Sequence, residues 1–306
     1  MIIPLSLIAL TSLCLSVMAI MRKKYQKDVG AGFDSMMFFI AATSVISFFV
    51  ALLLSDNFCV VSETLFIAVL YASISAAASA LCIIGPKYGN LSVVIMFATL
   101  GSLVLSAVFG FFVDSFSLKE DFLQIIAFII VLTIVYLNFI SEKKNDVSEK
   151  KEKNSRIYNL ICVLLFFING SGAVLFKIKT EYYPKIGNYE FIAQSSLSGF
   201  IITLVMFFLF RLMKNNKNEG IVPVKTYFSY KALTPVFIYG AVYFISDFFG
   251  LITTAMIPLI VKAGLSFSLP LIMTALFDYI VYRQKPSKNN YIQMFLAFVC
   301  CILFSL

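Results

Sequence analysis

The sequence predicts an all-α polytopic membrane protein, ten transmembrane helices arranged as an inverted five-plus-five repeat. Three observations carry this: an apolar composition, the length and spacing of charge-free runs, and an echo between the two halves of the chain. Of 306 residues, 60% are hydrophobic and 13% charged, with a mean hydropathy of +0.94. A water-facing surface of this length needs far more Lys, Glu, Arg and Asp.

Hydrocarbon about 30 Å thick is crossed by roughly 20 helical residues. Charge-free runs at 1–21, 35–55, 64–86, 88–113, 122–141, 157–176 and 191–210 meet that length, and 289–306 is slightly shorter but adequate. The segment 232–282 is too long for one crossing, and Pro258 marks where two would meet. The total is ten crossings. Helices are preferred to barrel strands because the runs are continuous, whereas a barrel strand alternates. The first run has no basic segment before it and carries Arg22-Lys23-Lys24 after it, the reverse of a signal peptide, so it is expected to stay in the protein.

The net charge of +8 would suit nucleic acid if it were clustered on a soluble face, but it is not. Nineteen of the 24 Lys and Arg fall in the odd-numbered connections and four in the even-numbered ones, with Lys262 standing alone. By the positive-inside tendency the odd connections are cytoplasmic and both termini extracytoplasmic, in a multi-pass protein of the plasma membrane. The six cysteines, Cys14, Cys59, Cys82, Cys162, Cys300 and Cys301, show no metal-ligand spacing and read as small hydrophobes. There is no histidine, so imidazole serves neither as proton relay nor as ligand. No cofactor is implied.

The polar stretch SEKKNDVSEKKEKNSR at 141–156 divides the chain nearly in half and reads as a solvated link. This sets a first five-helix repeat at 1–141, a link at 142–156 and a second repeat at 157–306. The halves correspond in layout. FGFFVDSFSLKEDFLQIIAFIIVLTIVYLNFI at 110–141 matches ALFDYIVYRQKPSKNNYIQMFLAFVCCILFSL at 275–306, and VMAIMRKKYQKD at 17–28 is mirrored by AVLFKIKTEYYP at 173–184. With five crossings per repeat, the second half enters the membrane from the opposite side, which builds two related conformations around a central site.

These features resemble the drug/metabolite transporter superfamily, in particular its EamA-like branch, over essentially the whole chain. The glutamate usual before the last helix of each repeat has Glu120 as a loose match in the first half, while the second half reads Tyr282-Arg283-Gln284-Lys285. Members are commonly described with both termini in the cytoplasm, opposite to the charge bias here, and we follow the charges. The resemblance implies a cavity between the halves, lined by helices one, three, four, six, eight and nine. Those helices hold Tyr71, Ser75, Asn169, Tyr239, Tyr243, Asp247 and Lys262. Helix seven, with Gln194, Ser195, Ser196 and Ser198, is peripheral in that plan.

The residues themselves point to several candidates. Asp247 follows fifteen uncharged residues and precedes fourteen more, which places a carboxylate several residues deep. Such groups usually face a bundle interior or an aqueous cavity. With a turn near 256–258, Asp247 and Lys262 differ in depth by about 7 Å, which a lysine stem spans. Three readings stay open: the two pair in one conformational state; Asp247 binds a proton or cationic group while Lys262 marks the mouth; or Lys262 snorkels and Asp247 makes a static hydrogen bond. In FFINGSGAV, 166–174, Gly170 and Gly172 can loosen a helix, and Asn169 offers an amide for substrate contact or packing. The small residues of YASISAAASALCIIGP, 71–86, suit tight packing or a polar cavity wall.

A secondary transporter of a small neutral or amphipathic metabolite is the leading expectation, with protons or a counter-substrate as coupling partners and lipids around it. No G-x-x-x-x-G-K-[ST] motif is present to harness ATP. A flippase for a lipid or lipid-linked substrate is the main competitor. An enzyme is disfavoured by the lack of histidine and of nucleophile–base pairs. The orientation is testable: with single cysteines introduced into a cysteine-free background, residue 148 should label only after the cells are opened, and residues near both ends in intact cells. Labelling of residue 148 from outside would reverse the assignment.

Overall fold

A computed structural model describes residues 2–55, 62–85, 88, 91–114, 122–145, 155–215, 223–282 and 288–305. Cys59, Glu120, residues 146–154 of the link and the Arg283-Gln284-Lys285 run lie outside the described residues. Among those described there are eleven helices and no strand: α1 Ile2–Asp28, α2 Phe33–Leu54, α3 Ser62–Ile84, α4 Leu91–Val113, α5 Phe122–Asn145, α6 Ser155–Tyr182, α7 Asn188–Asn215, α8 Val224–Tyr227, α9 Tyr230–Met256, α10 Leu259–Tyr282 and α11 Lys288–Ser305.

Six of these, α1, α2, α3, α6, α7 and α9, contain spans long and apolar enough to cross a membrane. Side chains such as Leu53, at 83% exposure, and Phe112, at 78%, point outward where a soluble fold would place polar groups. The chain is an all-helical polytopic membrane protein. The ten long helices coincide with the apolar runs, and α8 is an added element of one turn. Helices α1 and α6 run beyond their apolar runs to Asp28 and Tyr182, because Lys, Arg and Gln are good helix formers. For the same reason α5 and α6 enter the polar link from either side.

Two turns set where helices end and begin. After α1 the chain reverses at Gly30, whose φ of 129° suits glycine alone, while Val29 N–H closes on Tyr25 O at 2.9 Å. Between α9 and α10, Pro258 cannot donate to a continuing helix, so α9 stops at Met256 and α10 starts at Leu259.

The chain forms two compact units, each drawn from both halves of the sequence. The first comprises Met1–Ser16, Gly85–Lys177 and Ile252–Leu306. Its core joins Leu103 and Ala107 of α4, Val131 and Ile134 of α5, Ile260 and Leu265 of α10, and Ala297 and Phe304 of α11. The second comprises Val17–Ile84 and Ile178–Leu251. Its core is aromatic: Phe38 stacks on Tyr227 with centroids 4.7 Å apart, and Phe33 meets Phe210 at 4.6 Å.

Within the first unit α4 and α6 cross backbone to backbone. A Cβ on Gly101 would clash with the Phe166 carbonyl oxygen, and one on Gly170 with the Gly101 carbonyl oxygen. Asn169 Nδ2 donates to Ala98 O at 2.8 Å across the same crossing. Helix α6 is therefore unbroken through Asn169–Gly172, and the expected loosening does not occur. The missing Cβ atoms let a second helix approach instead. Gly101→Ala should cost about 3 kcal/mol or more by overpacking. Gly199→Ala, where the new carbon meets Ser44 Oγ at 3.5 Å, should be neutral or mildly stabilising. Chemical unfolding of both purified variants checks the contrast.

Candidate functional site

Four helices of the second unit line one cavity with hydroxyl groups, and the spacing of those residues explains why. Tyr71, Ser75 and Ser79 recur every four residues and share one face of α3; Ser195, Gly199 and Thr203 do so on α7, and Tyr239 and Tyr243 on α9. Helix α2 adds Thr43 and Ser44. The empty space among these residues, counting the part continuous with solvent, is about 530 Å³. Its wall holds seven aliphatic hydroxyls and three phenols, and no charged side chain.

Several hydroxyls are already anchored. Thr43 Oγ1 donates to Ile40 O at 2.9 Å, Ser195 Oγ to Ile192 O at 3.1 Å, and Ser196 Oγ to Ser47 Oγ at 3.0 Å. Each anchored oxygen keeps lone pairs that face the cavity as acceptors. The Tyr71 and Tyr243 hydroxyls bond each other. Asp247 continues the Tyr239–Tyr243 face of α9 by one more turn, and its charge reaches Tyr71, Tyr239 and Tyr243. Beside it the rings of Tyr189 and Phe248 lie parallel with centroids 4.7 Å apart. The arrangement offers hydroxyl recognition, aromatic faces and one nearby carboxylate.

Four of the seven residues singled out from the sequence, Tyr71, Ser75, Tyr239 and Tyr243, line this cavity, and Asp247 adjoins it. Asn169 and Lys262 belong to the first unit. Ser195 and Ser196 of α7, peripheral in the plan implied by the family resemblance, are wall residues here. The signal that could have found them is the four-residue spacing of small hydroxyls on α7 and α3. Gln194 is buried behind the wall and accepts from Thr64 Oγ1 at 3.1 Å.

A second polar centre, in the first unit, has only Lys262 among the candidates drawn from the sequence. Lys177 Nζ pairs with Asp114 Oδ1 at 2.6 Å, both side chains being less than a tenth exposed. Asp114 Oδ2 accepts from Leu259 N–H at 2.6 Å, so the carboxylate that ends α4 also caps the N-terminus of α10. Lys262, one turn into α10, donates to the Thr254 hydroxyl and lies 5.6 Å from the centroid of the Phe176 ring. By sequence Lys177 and Lys179 count as connection charges, but both are buried within α6. Their burial is not legible in the chain because an apolar run interrupted by lysine looks like a helix end.

Breaking such a pair from one side leaves the other charge buried and bare. Asp114→Asn or Lys177→Met should each destabilise the protein by about 3–5 kcal/mol, and the double variant by less than the sum. Denaturant unfolding of the two single variants and the double variant reads the coupling directly.

No known protein family matches the chain by sequence, and no curated protein does. Its fold is shared with a solved structure, described only as "Crystal structure of protein", at a TM-score of 0.71. That likeness covers 98% of this chain and 95% of the other at 12% identity, which shows the fold and leaves function to the site itself.

Proposed function

We propose that the protein is a secondary transporter that moves a small neutral or amphipathic organic metabolite across the plasma membrane by alternating access of an inverted five-plus-five repeat. The observation that carries this reading is the cavity among α2, α3, α7 and α9, with a wall of hydroxyls and phenols and Asp247 beside it. Hydroxyls that donate and accept hold a neutral solute without a charge to trap it, and the tyrosines supply flat apolar faces. A polyanion would need more positive charge than this wall offers.

The membership of the compact units supports the repeat. Counting long helices only, one unit contains the second, third, seventh and, as far as Leu251, the eighth, and the other the fourth, fifth, ninth and tenth. The first and sixth are each divided between units, after Ser16 and after Lys177. Every helix thus shares its unit with the one five places on, as a duplicated half would require. Orientation with both termini outside gains support from α6, since two of the four basic residues assigned to even-numbered connections, Lys177 and Lys179, are buried and exert no surface bias.

Asp247 is the coupling residue in this reading, with protons or a counter-substrate as its partner. Protein reconstituted in liposomes and offered a complex metabolite extract should accumulate a water-soluble compound. Movement of labelled lipid between leaflets without solute flux would replace the transporter with a flippase. Asp247→Asn should lose at least about tenfold in concentrative uptake while inserting normally, and Tyr243→Phe should weaken uptake less. If Lys262 acts with Asp247, K262M should be impaired and D247N/K262M partly restored. Full uptake by D247N would remove the coupling role.

A further inference from the structure

The turn between α1 and α2 holds a carboxylate that transport through the hydroxyl cavity leaves unused. Asp34, in the first turn of α2, is 1% exposed, and Ser35 beside it is fully buried. Asp34 Oδ2 accepts one hydrogen bond, from the Tyr227 hydroxyl at 3.1 Å. Asp34 Oδ1 has no hydrogen-bond partner among the described residues, and Ser35 Oγ makes no hydrogen bond of good geometry, although the Tyr227 hydroxyl lies within its reach. Both converge on the glycine turn: a Cβ on Gly32 would stand 2.8 Å from Asp34 Oδ1 and 4.0 Å from Ser35 Oγ. The wall is completed by Tyr25, whose hydroxyl donates to Ser35 O at 3.2 Å.

Position for position, the start of α7 shows what this turn lacks. Glu190 lies in the first turn of α7, and the charge of buried Lys179 acts on it while Lys179 Nζ donates to Asn188 Oδ1. Asp34 has phenols where Glu190 has an ammonium. The Arg211 guanidinium acts on Tyr227 and sits 5.7 Å from the Phe207 ring centroid, and among the described residues no cationic side chain pairs with Asp34. The positive end of the α2 dipole offsets part of the charge, but it fills neither orphaned oxygen. A buried carboxylate with one neutral hydrogen bond is costly unless a positive charge joins it.

We propose that Asp34 Oδ1 and Ser35 Oγ, facing the Gly30–Gly32 turn, form a binding site for a monovalent alkali cation. The donor set is all oxygen, which selects a hard ion over a transition metal. A single carboxylate balances one positive charge, which suits a monovalent ion. Glycine at 32 is what lets the carboxylate turn toward the loop, since a side chain there would occupy the space beside Oδ1. This site goes beyond the transport reading and does not depend on it.

The test follows thermal unfolding of the full-length protein in detergent as choline chloride is replaced stepwise by NaCl, KCl or LiCl at constant ionic strength. At least one of the three should raise Tm, by about 2–4 °C when the ion reaches roughly ten times its Kd and logarithmically beyond that. Ser35→Ala should leave Tm in choline near the wild-type value and require about tenfold more cation for the same rise in Tm. Asp34→Asn should abolish the rise. Equal Tm in all four salts, or an S35A response at the same cation concentrations as wild type, would overturn the site, as would a full cation response in D34N. The S35A arm decides the matter if D34N fails to fold, and no substrate is needed, so failure here leaves the transport reading standing.

Discussion

Hydrocarbon offers no water to a polar group, so every donor and acceptor carried into the membrane has to find its partner inside the protein. The rest of this structure is organised by how that requirement is met. Thr43, Ser171 and Thr203 return their hydroxyls to carbonyls of their own helices. Asn169 reaches across to α4. Asp114 meets it twice over, by pairing with Lys177 and by receiving the amide of Leu259 where α10 has no preceding turn to bond. Each solution costs the chain little, because the partner is either one turn away or held on a packed helix.

The same medium sets how the helices touch. Lipid is as apolar as leucine, so there is little solvophobic force between helices and contact depends on close fit. Gly101 and Gly170 bring α4 and α6 to backbone contact, and Gly240 of α9 packs against Thr43 O and Ile46 of α2. The alanine and serine of α3 allow a similarly close approach while leaving Ser75 and Ser79 on the cavity wall. One residue class therefore serves both ends, and tight packing and a polar wall coexist on this helix.

In the hydroxyl cavity the aromatic residues do a different task. Phe39 meets Tyr239 edge to face at 4.8 Å, Tyr239 stacks toward Tyr243 at 6.3 Å, and Tyr71 leans on Phe191 at 6.2 Å. Held in this way, the phenols keep their directions, and the cavity presents hydroxyls that are already oriented. The carboxylate of Asp247 lies one turn beyond, close enough to be felt without occupying the wall.

Segment by segment, the chain alone determined where its long apolar helices lie. Length and apolarity of a single run decide that, and the turn at Pro258 comes from an imide that cannot donate. Asp247 was legible for the same reason, as one charge in a long apolar segment. What the tertiary structure decided is which polar groups meet. Asp114 and Lys177 each stand at an apolar run's edge, where a charge normally marks the membrane boundary, yet they find each other across 63 positions of sequence. Asp34 has the sequence of an ordinary first-turn carboxylate, and only its burial with Ser35 and Tyr227 distinguishes it. The cavity needed four-residue rows on α3, α7 and α9 to face one space with Thr43 and Ser44 of α2, and a row on one helix carries no mark of what stands opposite. Hydropathy is a property of one segment, whereas compensation of a buried charge is a property of several, and the second becomes visible only when the segments are packed.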